Sequence, residues 1–225
     1  MQPEEIILTT ADYIKEKFAG EGSGHDWWHI YRVWQNALYL AKNEQADLLV
    51  VQLGALLHDV ADWKFYGGDE TVGEKMAREY LEKLQVPELV IAPVCQIINE
   101  ISFKGAGVNT PMSTLEGAIV QDADRLDAIG AIGIARAFAY GGFKHREMHN
   151  PNILPENHTS FAAYKKNTGP TINHFYEKLL LLKDRMNTAT GRQLAEDRHQ
   201  YMLNFLEQFY QEWNINVELE KEEKI

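Results

Sequence analysis

Apolar residues recur at helical spacing along almost the whole chain. Residues 3–18 place Ile6, Ile7, Tyr13, Ile14 and Phe18 at such spacings, and Gly20 follows as a stop. Gly22-Ser23-Gly24 reads as a loop, so the next helix starts near His25 or Asp26. It carries His29 and continues through Val33, Ala37, Leu38 and Leu40 on one face. Residues 48–59 are apolar nearly all round, the pattern of a helix buried on every side. Asp69 can cap a further helix, and Pro87-Glu88 opens another.

Ser113-Thr114-Leu115-Glu116 fits a capping box, with the acid three residues after the serine. The helix it opens is expected to run to Tyr140 through the small-residue stretch AIGAIGIARAFA, with Gly141-Gly142 ending it. Residues 143–155 are polar, contain two prolines, and read as a long loop over a site. Helices over residues 172–186 and 190–213 follow, and the closing NVELEKEEKI reads as a solvated, frayed end. There is no strand-like alternation, internal repeat or low-complexity linker. The expected fold is all-α, a single-domain helical bundle over residues 1–225, with its core at about 24–213 and an acidic tail at about 214–225.

Composition narrows the function classes. The chain is 45% hydrophobic and 24% charged, ordinary for a globular domain. Its single cysteine, Cys95, rules out an intrachain disulfide. The opening Met1-Gln2-Pro3-Glu4-Glu5 lacks the basic and apolar regions of a signal peptide, and no apolar run approaches the roughly 20 residues that cross a bilayer. A cytoplasmic protein with no membrane partner is expected. A net charge of −11 argues against a nucleic-acid polymer as ligand, since such binding needs a basic footprint. A small phosphorylated ligand stays open, provided that a metal ion or a few local cations draw it in.

The stretch GHDWWHIYRV almost spells the H-E-x-x-H signature of zinc proteases. However, Gly24 precedes His25 directly, which puts that histidine at a helix end, and the acid is one methylene short. More telling is LGALLHDVADWKF, where His58-Asp59 closes an apolar helix that has no evident place for charge. IVQDADRLDAIG puts Asp122, Asp124 and Asp127 on another apolar helix, and His29 lies on a third. A lone His-Asp pair is most simply structural. Three helices that carry such groups together call for a divalent cation.

In this order, His29 to Val33, then Leu56 to Asp59, then Ala123 to Leu126, the chain resembles the HD-domain metal-dependent phosphohydrolases. HDWWH, LHDVADWK, VQDADRLDAIGAIGIAR, FAYGG, HFYEKLL and EDRHQYMLNF extend the resemblance over residues 24–213, to a branch of small stand-alone bacterial proteins. The resemblance implies a metal held by His29, His58, Asp59 and Asp124, with His25 and Asp26 left as helix-start or orienting residues. Some relatives bind a second ion through extra histidines. None occurs here from Val60 through Ala123, so one ion is expected. Two imidazoles and two carboxylates suit Mn²⁺ first, then Fe²⁺, Co²⁺, Ni²⁺ or Zn²⁺, with Mg²⁺ less well matched.

Asp62 follows His58 by four residues and is the candidate base or water-orienting group, as more distant HD relatives carry an acid at the matching place. The alternative is that Asp62 ends the helix or pairs with Lys64. Lys64 and Arg125 are candidate phosphate clamps, although Arg125 could instead pair with Asp122 or Glu116. Asp127 shares the face of Asp124 and can hold a ligand imidazole or contact a sugar hydroxyl. Lys104, Arg136, Lys144, His145 and Arg146 form a looser substrate-binding set, for which a solvated surface is the simpler reading. Trp27, Trp28, Trp63, Phe103 and Tyr140 could stack on a base or belong to the core.

The resemblance implies a small nucleotide as substrate, with nucleoside triphosphates cleaved to monophosphate and pyrophosphate. The alternatives are a phosphomonoesterase acting on nucleoside monophosphates, a catalytically silent nucleotide-binding module, or a purely structural helical protein. Cyclic-nucleotide phosphodiester cleavage is disfavoured by the missing second-metal histidines. A homodimer is compatible with the sequence.

Overall fold

The computed structural model describes residues 1–20, 26–61, 71–101, 110–156 and 168–214. Among them the regular structure is entirely helical, as the apolar period predicts. Helix α1 spans Pro3–Lys17, α2 Trp27–Glu44, α3 Leu48–Leu57, α4 Val72–Lys83 and α5 Glu88–Glu100. After these come α6 (Leu115–Asp127), α7 (Gly130–Phe143), α8 (Thr171–Glu177) and α9 (Ala189–Trp213). Two 3-10 turns, Leu179–Leu181 and Lys183–Arg185, lie between α8 and α9. No helix among the described residues is long and apolar enough to cross a membrane.

Helix α3 lacks a polar face because α1, α2, α5 and α6 all pack on it. Its Val51, Leu53, Ala55, Leu56 and Leu57 are wholly buried. Gly54 lets α5 and α6 close in: a Cβ there would lie 3.2 Å from Ile97 Cδ1 and 3.4 Å from Val120 Cγ2. Helix α2 packs along α6 as well as α3. Helix α2, the end of α3 and helix α6 carry His29, His58 and the acids of α6, so the packing of these three helices also assembles the candidate site.

Local signals fix the ends. Asp26 caps α2 by accepting the His29 amide at 2.8 Å, and Asp47 Oδ1 caps α3 through Leu49 and Val50 at 2.9 and 3.2 Å. The expected capping box is displaced by one residue. Thr114, not Ser113, caps α6, accepting the Gly117 amide at 3.0 Å. Ser113 instead donates to Glu100, and Glu116 accepts the Asp47 amide. Two hydroxyls stood side by side, and tertiary partners decided between them.

Three other boundaries differ from expectation. The helix expected to reach Tyr140 unbroken divides at residues 128–130, where Gly130 takes φ +72° against the side chain of Arg198. The second piece then runs past Gly141-Gly142 to Phe143. The helix expected over 172–186 is a short α8 followed by the two 3-10 turns. The Asp69 cap and the acidic tail beyond Asn214 lie outside the described residues.

Asp122, one of the acids that the sequence places on an apolar helix, ties α6 to the start of α9. Its wholly buried carboxylate accepts the amides of Asn187 and Thr188, each at 2.8 Å, and the Thr188 hydroxyl at 2.8 Å. Burial pushes its pKa up, and these hydrogen bonds offset only part of that push. Asp122→Ala removes the acceptor of the buried Thr188 amide and hydroxyl and of the Asn187 amide, and should cost about 2–4 kcal/mol in a urea titration followed by circular dichroism. A loss under about 0.5 kcal/mol would show that the tether is dispensable.

Candidate metal centre

His29 stands in the first turn of α2, where the Asp26 cap fixes its backbone. Its Nδ1 lies 2.7 Å from Asp127 Oδ2. An ionised carboxylate only accepts, so Nδ1 carries the proton and Nε2 presents a lone pair. His58 directly follows α3, and its Nδ1 lies 2.8 Å from the Ala55 carbonyl, an acceptor that the ending helix leaves open. That bond assigns the same tautomer. The two Nε2 atoms face one another at 3.3 Å, with the rings at 74°.

Asp59 Oδ2 completes the arrangement, 3.5 Å from His29 Nε2 and 3.6 Å from His58 Nε2. The three ligand-type atoms all lie within 4.8 Å of one another. Asp124 stands at the rim, its Oδ1 3.6 Å from His29 Nε2. The imidazoles are 1% and 2% exposed, against 24% for Asp59 and 38% for Asp124, so the cluster opens on its carboxylate side.

Asp127 holds this together from behind. It is 2% exposed, and besides His29 it accepts Arg32 Nε at 2.6 Å, Arg32 NH2 at 3.1 Å and Arg136 NH1 at 2.8 Å. Burial alone would push its pKa up, but the bonds from His29 and Arg32 and the charge of Arg136 hold it well below the usual carboxylate range. For His29, burial pulls the pKa down, but Asp127 and Asp59 outweigh it and leave the pKa raised.

A divalent ion fits the same place. Nitrogen and oxygen atoms bonded to one ion at about 2.1 Å sit roughly 3.0–3.5 Å apart, close to the 3.3, 3.5 and 3.6 Å spacings among His29, His58 and Asp59. The set is mixed imidazole and carboxylate, and both imidazoles donate their far N–H outward, as metal-bound histidines do.

The structure thus brings His29, His58 and Asp59 together, with Asp124 beside them. Asp127 has the imidazole-holding role of the two expected for it. Its burial under three side-chain donors corrects its expected use as a substrate contact. Arg125 is likewise not free to clamp phosphate. It is 7% exposed, donates to Thr110 Oγ1 at 3.0 Å and to the Arg185 carbonyl, and burial lowers its pKa to about 10. One residue along a helix turns a side chain by about 100°, which is why adjacency to Asp124 misleads. Lys144 caps the end of α7 and is exposed. Asp62, Lys64 and Lys104 lie outside the described residues, as do His25, Trp63 and Phe103. Sequence reading gave no role at Asp127 to Arg32 or Arg136. The signal for Arg32 was its place three residues after His29, on the same helix face.

Two outcomes follow for the metal. Asp127→Asn removes the charge that orients His29 and should weaken Mn²⁺ binding by about 10–100-fold in a calorimetric titration. An unchanged affinity would mean that His29 needs no such support. Because the raised pKa of His29 favours its proton, Mn²⁺ affinity should fall steadily from pH 8 to pH 6. A flat profile would remove His29 from the ligand set.

The HD domain matches residues 27–129, the span from α2 through α6 and its junction with α7. The chain is 40% identical over 200 residues to YpgQ of Bacillus subtilis, covering 87% of this chain and 88% of YpgQ. Among solved structures, YpgQ in complex with ADP aligns with a TM-score of 0.70 at 35% identity, over 91% of this chain and 98% of that one. An HD-superfamily hydrolase from Bacillus thuringiensis aligns at 0.74 with 44% identity, over 96% and 100%. A Lactobacillus plantarum protein reaches 0.81 with 39% identity, over 96% and 100%. With the domain match falling on the helices that carry the cluster, and relatives aligned over nearly their whole length, the chain belongs to the HD-domain family.

Proposed function

We propose that the protein is a divalent-metal-dependent phosphohydrolase of small nucleotides that cleaves nucleoside triphosphates to a monophosphate and pyrophosphate. One observation carries this reading: two imidazole lone pairs 3.3 Å apart, each fixed from behind, with Asp59 and the rim carboxylate of Asp124 opening to solvent. Such a set of acceptors suits a hard or borderline cation that shares its remaining positions with phosphate oxygens. YpgQ has been solved with ADP, and the B. thuringiensis relative is described as a hydrolase, which supports a nucleotide substrate and a hydrolytic reaction.

His29, His58, Asp59 and Asp124 would hold the ion, with Mn²⁺ the first choice. When bound, the ion neutralises phosphoryl charge and acidifies water. The chain's own residues supply the rest. Asp127 keeps the Nε2 lone pair of His29 aimed into the cluster, and the Ala55 carbonyl does the same for His58. Ile30 and Val33 on α2, with Leu56 and Leu57 on α3, are wholly buried in the core that carries the two imidazoles. In the reaction water adds to the α-phosphorus, the bond to the α,β-bridging oxygen breaks, and pyrophosphate departs with that oxygen. Asp62 is the proposed acceptor of the water's proton and Lys64 the proposed clamp on the phosphate.

The test is a hydrolysis screen with Mn²⁺ across nucleoside tri-, di- and monophosphates, with pyrophosphate and orthophosphate quantified separately. Pyrophosphate from triphosphates, abolished by chelator and by Asp59→Ala, is the expected result. Orthophosphate released from monophosphates would establish a phosphomonoesterase instead, and turnover unaffected by Asp59→Ala would sink the ligand assignment.

A further inference from the structure

Asp127 Oδ2 is shared by more donors than one carboxylate oxygen serves well. It lies 2.7 Å from His29 Nδ1, 2.8 Å from Arg136 NH1 and 3.1 Å from Arg32 NH2. Oδ1 takes only Arg32 Nε, at 2.6 Å. An ionised carboxylate offers about two lone-pair sites on each oxygen, so three N–H groups on Oδ2 compete. The two from guanidinium groups carry charge and pull harder on the shared oxygen than a neutral imidazole N–H does.

Charge balance alone does not call for this crowding. The Arg32 fork spans both oxygens and already neutralises the buried anion. Arg136 arrives from a different helix, α7, and goes to the oxygen that His29 uses instead of the less occupied Oδ1. Its contact with the Asp127 carbonyl is the longer one, at 3.4 Å. The end of α6 has a separate brace in Arg198 of α9, which donates to the Leu126 carbonyl at 2.6 Å and to Asn36 Oδ1 at 3.4 Å.

The consequence falls on His29. A carboxylate behind a ligand imidazole strengthens it as a donor by pulling on its far N–H, and cations on the same oxygen draw that pull away. We propose that Arg32 and Arg136 are positioning residues that act through Asp127: they restrain its hold on the His29 N–H, so that His29 stays a moderate ligand and the bound ion keeps its charge for phosphate oxygens and water. This rests on the reading of the cluster as the metal centre of a phosphohydrolase. The two guanidinium charges also oppose a cation at the centre, so both effects lower ion affinity. A purely structural role for the same ion pairs predicts the reverse, because a loosened Asp127 would misorient His29 and weaken the ion.

The test titrates the wild type, Arg32→Gln, Arg136→Gln and Arg136→Lys with Mn²⁺ by calorimetry, alongside urea unfolding. Each Gln variant should bind Mn²⁺ about three- to tenfold more tightly even though its urea midpoint falls. Arg136→Lys keeps a charged donor and should return the affinity to within about twofold of the wild type. With ATP at saturating Mn²⁺, the Gln variants should lose kcat about tenfold with KM within about threefold. Unchanged or weaker Mn²⁺ binding in the Gln variants would overturn the proposal and leave the arginines as braces, as would tightening that Arg136→Lys fails to reverse. Both arginines are partly exposed and are changed singly, so either variant that folds decides the sign. A wild type that binds Mn²⁺ but releases no pyrophosphate from ATP contradicts the hydrolase reading alone, and the calorimetry still decides the role of the arginines. A wild type that binds no Mn²⁺ overturns both.

Discussion

Two histidine nitrogens that both offer lone pairs, 3.3 Å apart in the interior, are the constraint around which the site is arranged. Neutral imidazoles in this pose repel, and a shared cation converts the repulsion into ligation. The pose persists because each ring is tied from its far side, His29 by Asp127 and His58 by the Ala55 carbonyl. Neither ring can swing round to relieve the contact without breaking a buried hydrogen bond.

The same ties organise the bundle. Asp127 ends α6, takes His29 and Arg32 from α2 and Arg136 from α7, and so joins three helices at one buried carboxylate. A buried anion with several charged partners is costly to break, since removing one partner leaves charge without compensation. The break between α6 and α7 belongs to this arrangement: the chain turns at Gly130 and sends Arg136 back to Asp127, six residues beyond the turn. Arg125, on the neighbouring face of α6, does a different task, bracing Thr110 and the Arg185 carbonyl.

The helices were legible in the sequence because burial follows the apolar period, and α3 above all because a stretch with no polar face must be covered on all sides. The division at residues 128–130 was not legible. Ala and Gly continue the helical pattern without interruption, and the left-handed turn at Gly130 is set by packing on Arg198, far along the chain. The choice of Thr114 over Ser113 as cap depended on Glu100 and Asp47, which no local motif reveals. At the site, His29, His58 and Asp59 were named from motif order and meet in space. Arg125 was misplaced for want of side-chain direction, and Arg32 and Arg136 gained their role only through a carboxylate 95 and 9 residues away.

The most direct measurement is pulsed electron paramagnetic resonance on the protein titrated with Mn²⁺, reading stoichiometry and nitrogen coupling together. One tightly bound ion per chain, coupled to two imidazole nitrogens and losing one of them in His58→Ala, is the expected result. Absence of tight binding, or a bound ion with no nitrogen coupling, would contradict a cation shared between His29 and His58.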